Sequence, residues 1–212
     1  MDFVREMQKY AQQPISTQIL LGIFSHYKRP YDKIDELEKK GYLIQLRRGL
    51  YVPTELFSFY GPEPFLIANH LMGPSYISLD SALYYWGLIP ERVYQTTSVT
   101  TKLSKSVDTK VGLFSYSHLP LPYYSYGIEQ LILTDKQHVL IASQEKALCD
   151  KIITTSGIIF RSKKQVISYL VEDLRIDKSQ LRNLNTSSII SFLEDCPKRL
   201  SIEFLIKTLI DL

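Results

Sequence analysis

Only two cysteines, Cys149 and Cys196, occur in 212 residues, too few and too far apart for a disulfide framework or a zinc site. Histidine is scarce as well: His26, His70, His118 and His138 are scattered, none at metal-ligand spacing, so no metal and no cofactor is expected. The longest apolar run, from Ala82 to Pro90, contains Gly87 and falls far short of the ~20 residues a membrane span needs. The opening residues Met1-Asp2-Phe3-Val4-Arg5-Glu6 are charged where a signal peptide would be apolar, so a soluble, cytoplasmic protein is expected. No internal repeat and no low-complexity tract interrupts the chain. Apolar residues at 45% and charged residues at 22% leave no room for disordered, collagen-like or coiled-coil readings. The length fits one large domain, or a small module joined to a medium one.

Catalytic signatures are missing too. There is no G-x-G-x-x-G, no G-x-x-x-x-G-K-S/T, no G-x-S-x-G and no H-E-x-x-H. One arrangement invites a nuclease reading: Glu91 followed by Asp108-Thr109-Lys110, an acid with an acid-x-Lys set that could hold a divalent ion and a water. With 22 acids and 16 lysines in 212 residues, chance alone supplies about 1.7 acid-x-Lys triplets. Two occur, the other being Glu38-Lys39-Lys40. That is the background rate, and no catalytic residue is assigned.

What is present is a local cluster of positive charge. The net charge of +3 is small, but its distribution is uneven. Residues 1–60 carry nine basic and seven acidic side chains, residues 61–150 six and eight, and residues 151–212 ten and seven. Between positions 28 and 48 stand Lys28, Arg29, Lys33, Lys39, Lys40, Arg47 and Arg48 against four acids. Such a cluster on a near-neutral chain is the footprint a phosphate backbone attracts, although a solvated helix face has the same composition.

The pattern around the cluster reads as three short helices and a hairpin. The spacing of Phe3, Val4, Met7 and Tyr10 predicts a helix from Asp2 to Gln12, stopped by Pro14. Ser16 is an N-cap for a second helix carrying Ile19, Leu20, Ile23 and Phe24. Pro30 opens a third, which runs to Lys40 with Ile34 and Leu37 inward, and Gly41 ends it. Residues 42–46 and 50–52 are strands around an Arg47-Arg48-Gly49 turn. Beyond a Gly- and Pro-punctuated bridge with a helix at 65–71, a buried helix is expected over 79–88. Strands are expected at 93–101, 110–117, 124–133 and 138–141. Asp135-Lys136-Gln137 is then a hairpin turn. Ser143 caps a helix through Ala147, Leu148 and Ile152, and three further helices follow. Their inward faces are Ile167, Leu170, Val171 and Leu174, then Ile189, Ile190 and Leu193, then Ile202, Leu205, Ile206 and Leu209.

Glu145-Lys146 could be a site pair, but Glu145 suits a helix start and Lys146 lies one turn before Asp150, which favours a structural role. The 15 tyrosines are spread through every segment and read mainly as core. Tyr31 and Tyr51 flank the basic cluster and are candidates for DNA contact.

Four segments in order carry a resemblance. They are Leu46-Arg47-Arg48-Gly49-Leu50-Tyr51, then Tyr76-Ile77-Ser78-Leu79-Asp80-Ser81-Ala82-Leu83-Tyr84-Tyr85-Trp86-Gly87-Leu88-Ile89-Pro90, then Thr97-Ser98-Val99-Thr100-Thr101, then Ala142-Ser143-Gln144-Glu145-Lys146-Ala147-Leu148-Cys149-Asp150. Over about residues 15 to 155 the chain resembles the AbiE-type antitoxin family of type IV toxin–antitoxin (abortive infection) systems. The resemblance implies an α+β protein with an N-terminal winged helix-turn-helix over residues 1–55. A larger mixed α/β antitoxin domain with a helical C-terminal part follows over 56–212. It implies a non-enzymatic DNA-binding autorepressor, with double-stranded DNA of its own promoter as one partner. The other partner is a nucleotidyltransferase-like toxin, whose Gly-Ser and Asp-x-Asp hallmark this chain lacks.

The DNA-binding set is Lys28, Arg29, Tyr31, Lys33, Lys40, Arg47, Arg48 and Gly49. Asp32, Asp35, Glu36 and Glu38 on the third helix depart from it, since they repel phosphates. Two alternatives stay open: a stand-alone winged-helix regulator without a toxin, and a nuclease built on Glu91, Asp108 and Lys110.

Overall fold

A ten-residue helix is too short to persist alone in water, so the N-terminal helices must be held by what they bury. In the computed structural model, which describes residues 3–57 and 60–212, they enclose one core. Helix α1 (Phe3–Lys9), strand β1 (Ile15–Ser16), helices α2 (Thr17–Ile23) and α3 (Pro30–Lys39), and strands β2 (Leu43–Arg47) and β3 (Leu50–Pro53) follow in that order. Met7, Ala11, Ile15, Leu20, Phe24, Ile34, Leu37, Leu43, Tyr51 and Phe57 form the core cluster. The strands form a three-stranded antiparallel sheet in the order β1-β3-β2, with Ile15 opposite Tyr51 and Ile44 opposite Val52. Each fully buried aliphatic side chain contributes roughly 1.5–3 kcal/mol, so Ile34 and Leu37 together anchor α3 more firmly than its propensity does.

The chain continues through α4 (Pro64–Leu71), β4 (Ser75–Ile77), α5 (Leu79–Tyr85), β5 (Thr96–Thr100), β6 (Lys105–Thr109) and β7 (Gly112–His118). After a 3-10 turn at Tyr123–Ser125 come β8 (Ile128–Thr134), β9 (Gln137–Ala142) and α6 (Gln144–Thr154). Helix α7 (Lys163–Ile167) runs on into a π-helical segment, Ser168–Asp173, and α8 (Lys178–Arg182), α9 (Thr186–Ser191) and α10 (Arg199–Ile210) close the chain. Strands β4 to β9 make one mixed sheet, in the order β6-β7-β5-β4-β9-β8. Strand β4 is antiparallel to β5 and parallel to β9, and β5 is parallel to β7. The protein is thus mixed α+β, with ten α-helices and two sheets among the described residues.

Two compact units emerge: Met1–Gly73 with Asp108–Gly112 and Leu131–Val139, and Pro74–Val107 with Leu113–Gln130 and Leu140–Leu212. A boundary at residue 55 therefore falls inside the first unit. One cause is Gln137, whose side chain accepts from the Glu63 N–H (2.8 Å) and donates to the Gly61 carbonyl (3.2 Å).

Several elements differ from the sequence expectation. The first helix ends at Lys9 rather than Gln12, with Tyr10 and Ala11 in tighter turns, and Asp2 lies outside the described residues. Strand β6 was not expected: Lys-Ser-Val-Asp-Thr buries little and carries no apolar alternation to read. The expected 124–133 strand begins only at Ile128, because Tyr123–Ser125 coils and Gly127 takes φ +60°. Four helices, not three, follow α6. The additional one, α8, is a single turn capped by Asp177 and anchored by Leu181. Ile190, expected inward, is 51% exposed, and Phe192 fills the interior in its place.

Candidate nucleic-acid interface

All eight residues of the candidate set lie in the first unit. The turn before α3 is built by local bonds, Tyr27 N–H to the Phe24 carbonyl at 2.9 Å and a Phe24–Tyr27 edge contact. It leaves Lys28 and Arg29 exposed. Pro30 then starts α3, whose missing N–H costs nothing at that position. Gly41, at φ +76°, ends it: the Gly41 N–H bonds the Glu38 carbonyl and the Tyr42 N–H bonds that of Leu37.

The outer face of α3 is less cationic than its composition suggests. Arg29 pairs with Asp32 at 3.2 Å, and Glu36 takes both Lys33 (3.0 Å) and Lys40 (2.6 Å). The bond from Lys40, then that from Lys33, holds the Glu36 carboxyl below the usual carboxylate range, and Glu36 in turn raises Lys40. Lys33 is only 16% exposed in its side chain, and its ammonium also lies 5.5 Å from the centre of the Tyr27 ring. It is turned toward the protein. Tyr31 is 62% exposed and stands at the entrance of the helix. Tyr51 is the opposite case: it is 7% exposed, belongs to the core, and its hydroxyl accepts from Gln45 at 3.0 Å. That burial removes it as a contact residue.

The hairpin is short. Arg47 ends β2, Leu50 begins β3 directly opposite, and only Arg48 and Gly49 turn the chain. Gly49 sits at φ +85°, where a side chain is strained. Its carbonyl accepts from the Thr17 N–H at 3.0 Å, tying the turn to the first residue of α2. The two arginines behave differently. Arg47 Nε donates to the carbonyl of Leu71, the last residue of α4, at 2.9 Å, and its Nη1 reaches the Arg48 carbonyl at 3.4 Å. The Arg48 side chain is exposed and makes no ion pair or hydrogen bond among the described residues. Lys28 and Lys39 are exposed cations of the same kind. Nothing in the sequence signals the Leu71 contact, which spans 24 positions.

The second unit holds a different charged cluster. Tyr76 on β4, Ser78 at the entry of α5, Tyr123 in the 3-10 turn, and Lys146 and Asp150 one turn apart on α6 converge. Asp150 Oδ1 accepts from the Lys146 ammonium and from Tyr123 (3.0 Å), and Oδ2 accepts from Tyr76 (2.9 Å) and Ser78 (2.8 Å). Lys146 also donates to the Tyr76 hydroxyl at 2.8 Å and lies 3.8 Å from the centre of the Tyr123 ring. Burial first, then the Asp150 charge, pushes the Tyr76 and Tyr123 phenols far above their ordinary range, so both remain donors. Lys146 and Asp150 have no exposed side-chain surface, so every group here faces another member of the network rather than a substrate. Neighbouring Glu145 accepts instead from the Asn185 N–H and from Ser143, bracing α6 against the loop before α9.

Of the nuclease set, Glu91 belongs to the second unit and pairs with Arg175 at 3.0 Å, while Asp108 and Lys110 belong to the first. No cluster of three or more His, Cys, Asp or Glu side chains suited to a metal ion occurs among the described residues. No helix among them is long and apolar enough to cross a membrane. Comparison with protein-family models and with curated proteins gives no match to this chain.

Proposed function

We propose that the chain is a cytoplasmic, DNA-binding transcriptional autorepressor and antitoxin of the AbiE type. In this reading residues 1–55 act as a winged helix-turn-helix and residues 56–212 oppose a nucleotidyltransferase-like toxin. The observation that carries the reading is the order helix, strand, helix, helix, hairpin, closed by β1 pairing with β3 around one core. That order leaves α3 with one buried and one outward face, the disposition a major-groove helix requires. The β2–β3 turn supplies the cationic wing.

In this reading the phosphate contacts fall to the exposed cations whose side chains hold neither an ion pair nor a hydrogen bond among the described residues, Arg48 and Lys28, with Lys39 at the helix end. The test is titration of the full-length protein with duplex DNA from upstream of its coding sequence. Binding whose log affinity falls linearly with log salt is expected. No affinity at low ionic strength overturns the regulator reading. Co-expression with the adjacent open reading frame tests the rest. Growth rescue is expected, and its absence, with DNA binding intact, reduces the protein to a regulator without a toxin.

A further inference from the structure

We infer that the two arginines of the β2–β3 turn divide the work: Arg48 is the phosphate ligand, and Arg47 is a positioning residue that holds the turn in register. The inference rests on the DNA-binding reading and refines it. A guanidinium offers five donors in a rigid plane, and fixing two of them on carbonyls fixes the plane. In Arg47 one bond goes to Leu71, at the C-terminal end of α4, where the unpaired carbonyls of a helix concentrate negative charge and favour a cation. The other goes to the carbonyl of Arg48, the first residue of the turn. Arg47 therefore ties the tip of the hairpin to α4 within one unit, and swinging it onto a phosphate would break both bonds. The Arg48 side chain has no such bond among the described residues. It sits at the turn beside Gly49, whose carbonyl is already secured by Thr17, so its backbone is held while its side chain is unengaged.

The two roles leave different marks on salt dependence. Each phosphate neutralised adds about 0.9 to the slope of log affinity against log salt for duplex DNA. With full-length protein and a mixed-sequence duplex, Arg48→Ala is expected to lower that slope by about 0.9 relative to wild type. Arg47→Gln is expected to keep the wild-type slope while binding about tenfold more weakly at every salt concentration, because a turn released from both carbonyls must be ordered when it binds. Arg47→Lys, which retains the charge without the fork, is expected to match Arg47→Gln. Thermal melting of each variant establishes that it is folded. A folded Arg47→Gln with wild-type affinity makes Arg47 merely structural and overturns the inference. So does a slope that falls at Arg47→Gln and recovers at Arg47→Lys, or one that Arg48→Ala leaves unchanged. Wild-type protein that binds no duplex removes the DNA reading itself, an outcome distinct from all of these.

Discussion

Asp150 is a fully buried acid of the second unit. Four donors saturate its two oxygens, and each sits on a different part of the chain: the middle of β4, the turn into α5, the 3-10 turn and α6 itself. A buried ion pair adds little over a well-packed apolar pair, but removing one partner strands the other charge away from water. Asp150→Ala is therefore expected to cost about 3–5 kcal/mol in urea unfolding, with the single change Lys146→Met costing a similar amount. The double variant Lys146→Met/Asp150→Ala is expected to lose clearly less than the two singles together. Strict additivity would show that the groups act independently. The pair was legible as an i, i+4 spacing on a capped helix. Tyr76, Ser78 and Tyr123 were not, since their bonds to Asp150 span 74, 72 and 27 positions. Gly127 belongs to the same account. A Cβ there would stand 2.7 Å from Lys146 Cβ, so the glycine at φ +60° makes room for the lysine stem.

At the scale of elements, local chemistry sets where helices begin. Ser143 accepts from the Lys146 N–H at 3.2 Å and donates to Glu145 at 3.1 Å, while Ser16 accepts from the Ile19 N–H at 3.4 Å. Ser143→Ala is expected to lower stability by about 1 kcal/mol. Ser16→Ala, whose bond is longer and exposed, is expected to cost less, and chemical denaturation of both variants ranks them. Equal losses would mean that cap geometry does not govern the cost. Caps, Pro30 and Gly41 were readable because they act within a few residues. Strand β6 and helix α8 escaped because neither buries an apolar stripe: the first lies exposed at a sheet edge, and the second rests on Leu181 alone. The charge balance of α3 is an element-scale result as well. Seven bases between 28 and 48 suggested a cationic face, yet Asp32 and Glu36 pair with three of them, by spacings of three and four along the helix.

For the molecule as a whole, both cysteines are buried reduced thiols. Burial raises Cys149 well above the ordinary 9.0 and pushes Cys196 up to about 11. A group whose folded value exceeds its unfolded value stabilises the fold fully below the unfolded value and loses that contribution as pH rises through the folded one. Stability is therefore expected to be unaffected by the thiols below about pH 9 and to fall above it through both, the Cys196 contribution being lost by about pH 11 and the Cys149 contribution continuing to fall beyond. Urea midpoints across that range check this, and the Cys149→Ala/Cys196→Ala variant should show a shallower decline than wild type. Native protein near neutral pH should also resist a thiol reagent that labels both residues in denaturant, because the reactive form is the thiolate. Rapid labelling of the native state would contradict the burial of both residues.

The sequence by itself determined the mixed α+β class, the placement of most helices and strands, and the cluster of cations around α3 and the hairpin. Those are properties of apolar periodicity, caps and turn residues, which act over a few positions. Only the tertiary structure decided which cations are already occupied, that Tyr51 is core, that residues 60–73 belong with the first unit, and that Asp150 is shared by four donors. Those outcomes depend on groups distant in sequence meeting in space, where burial and directional hydrogen bonds choose partners that no local pattern names.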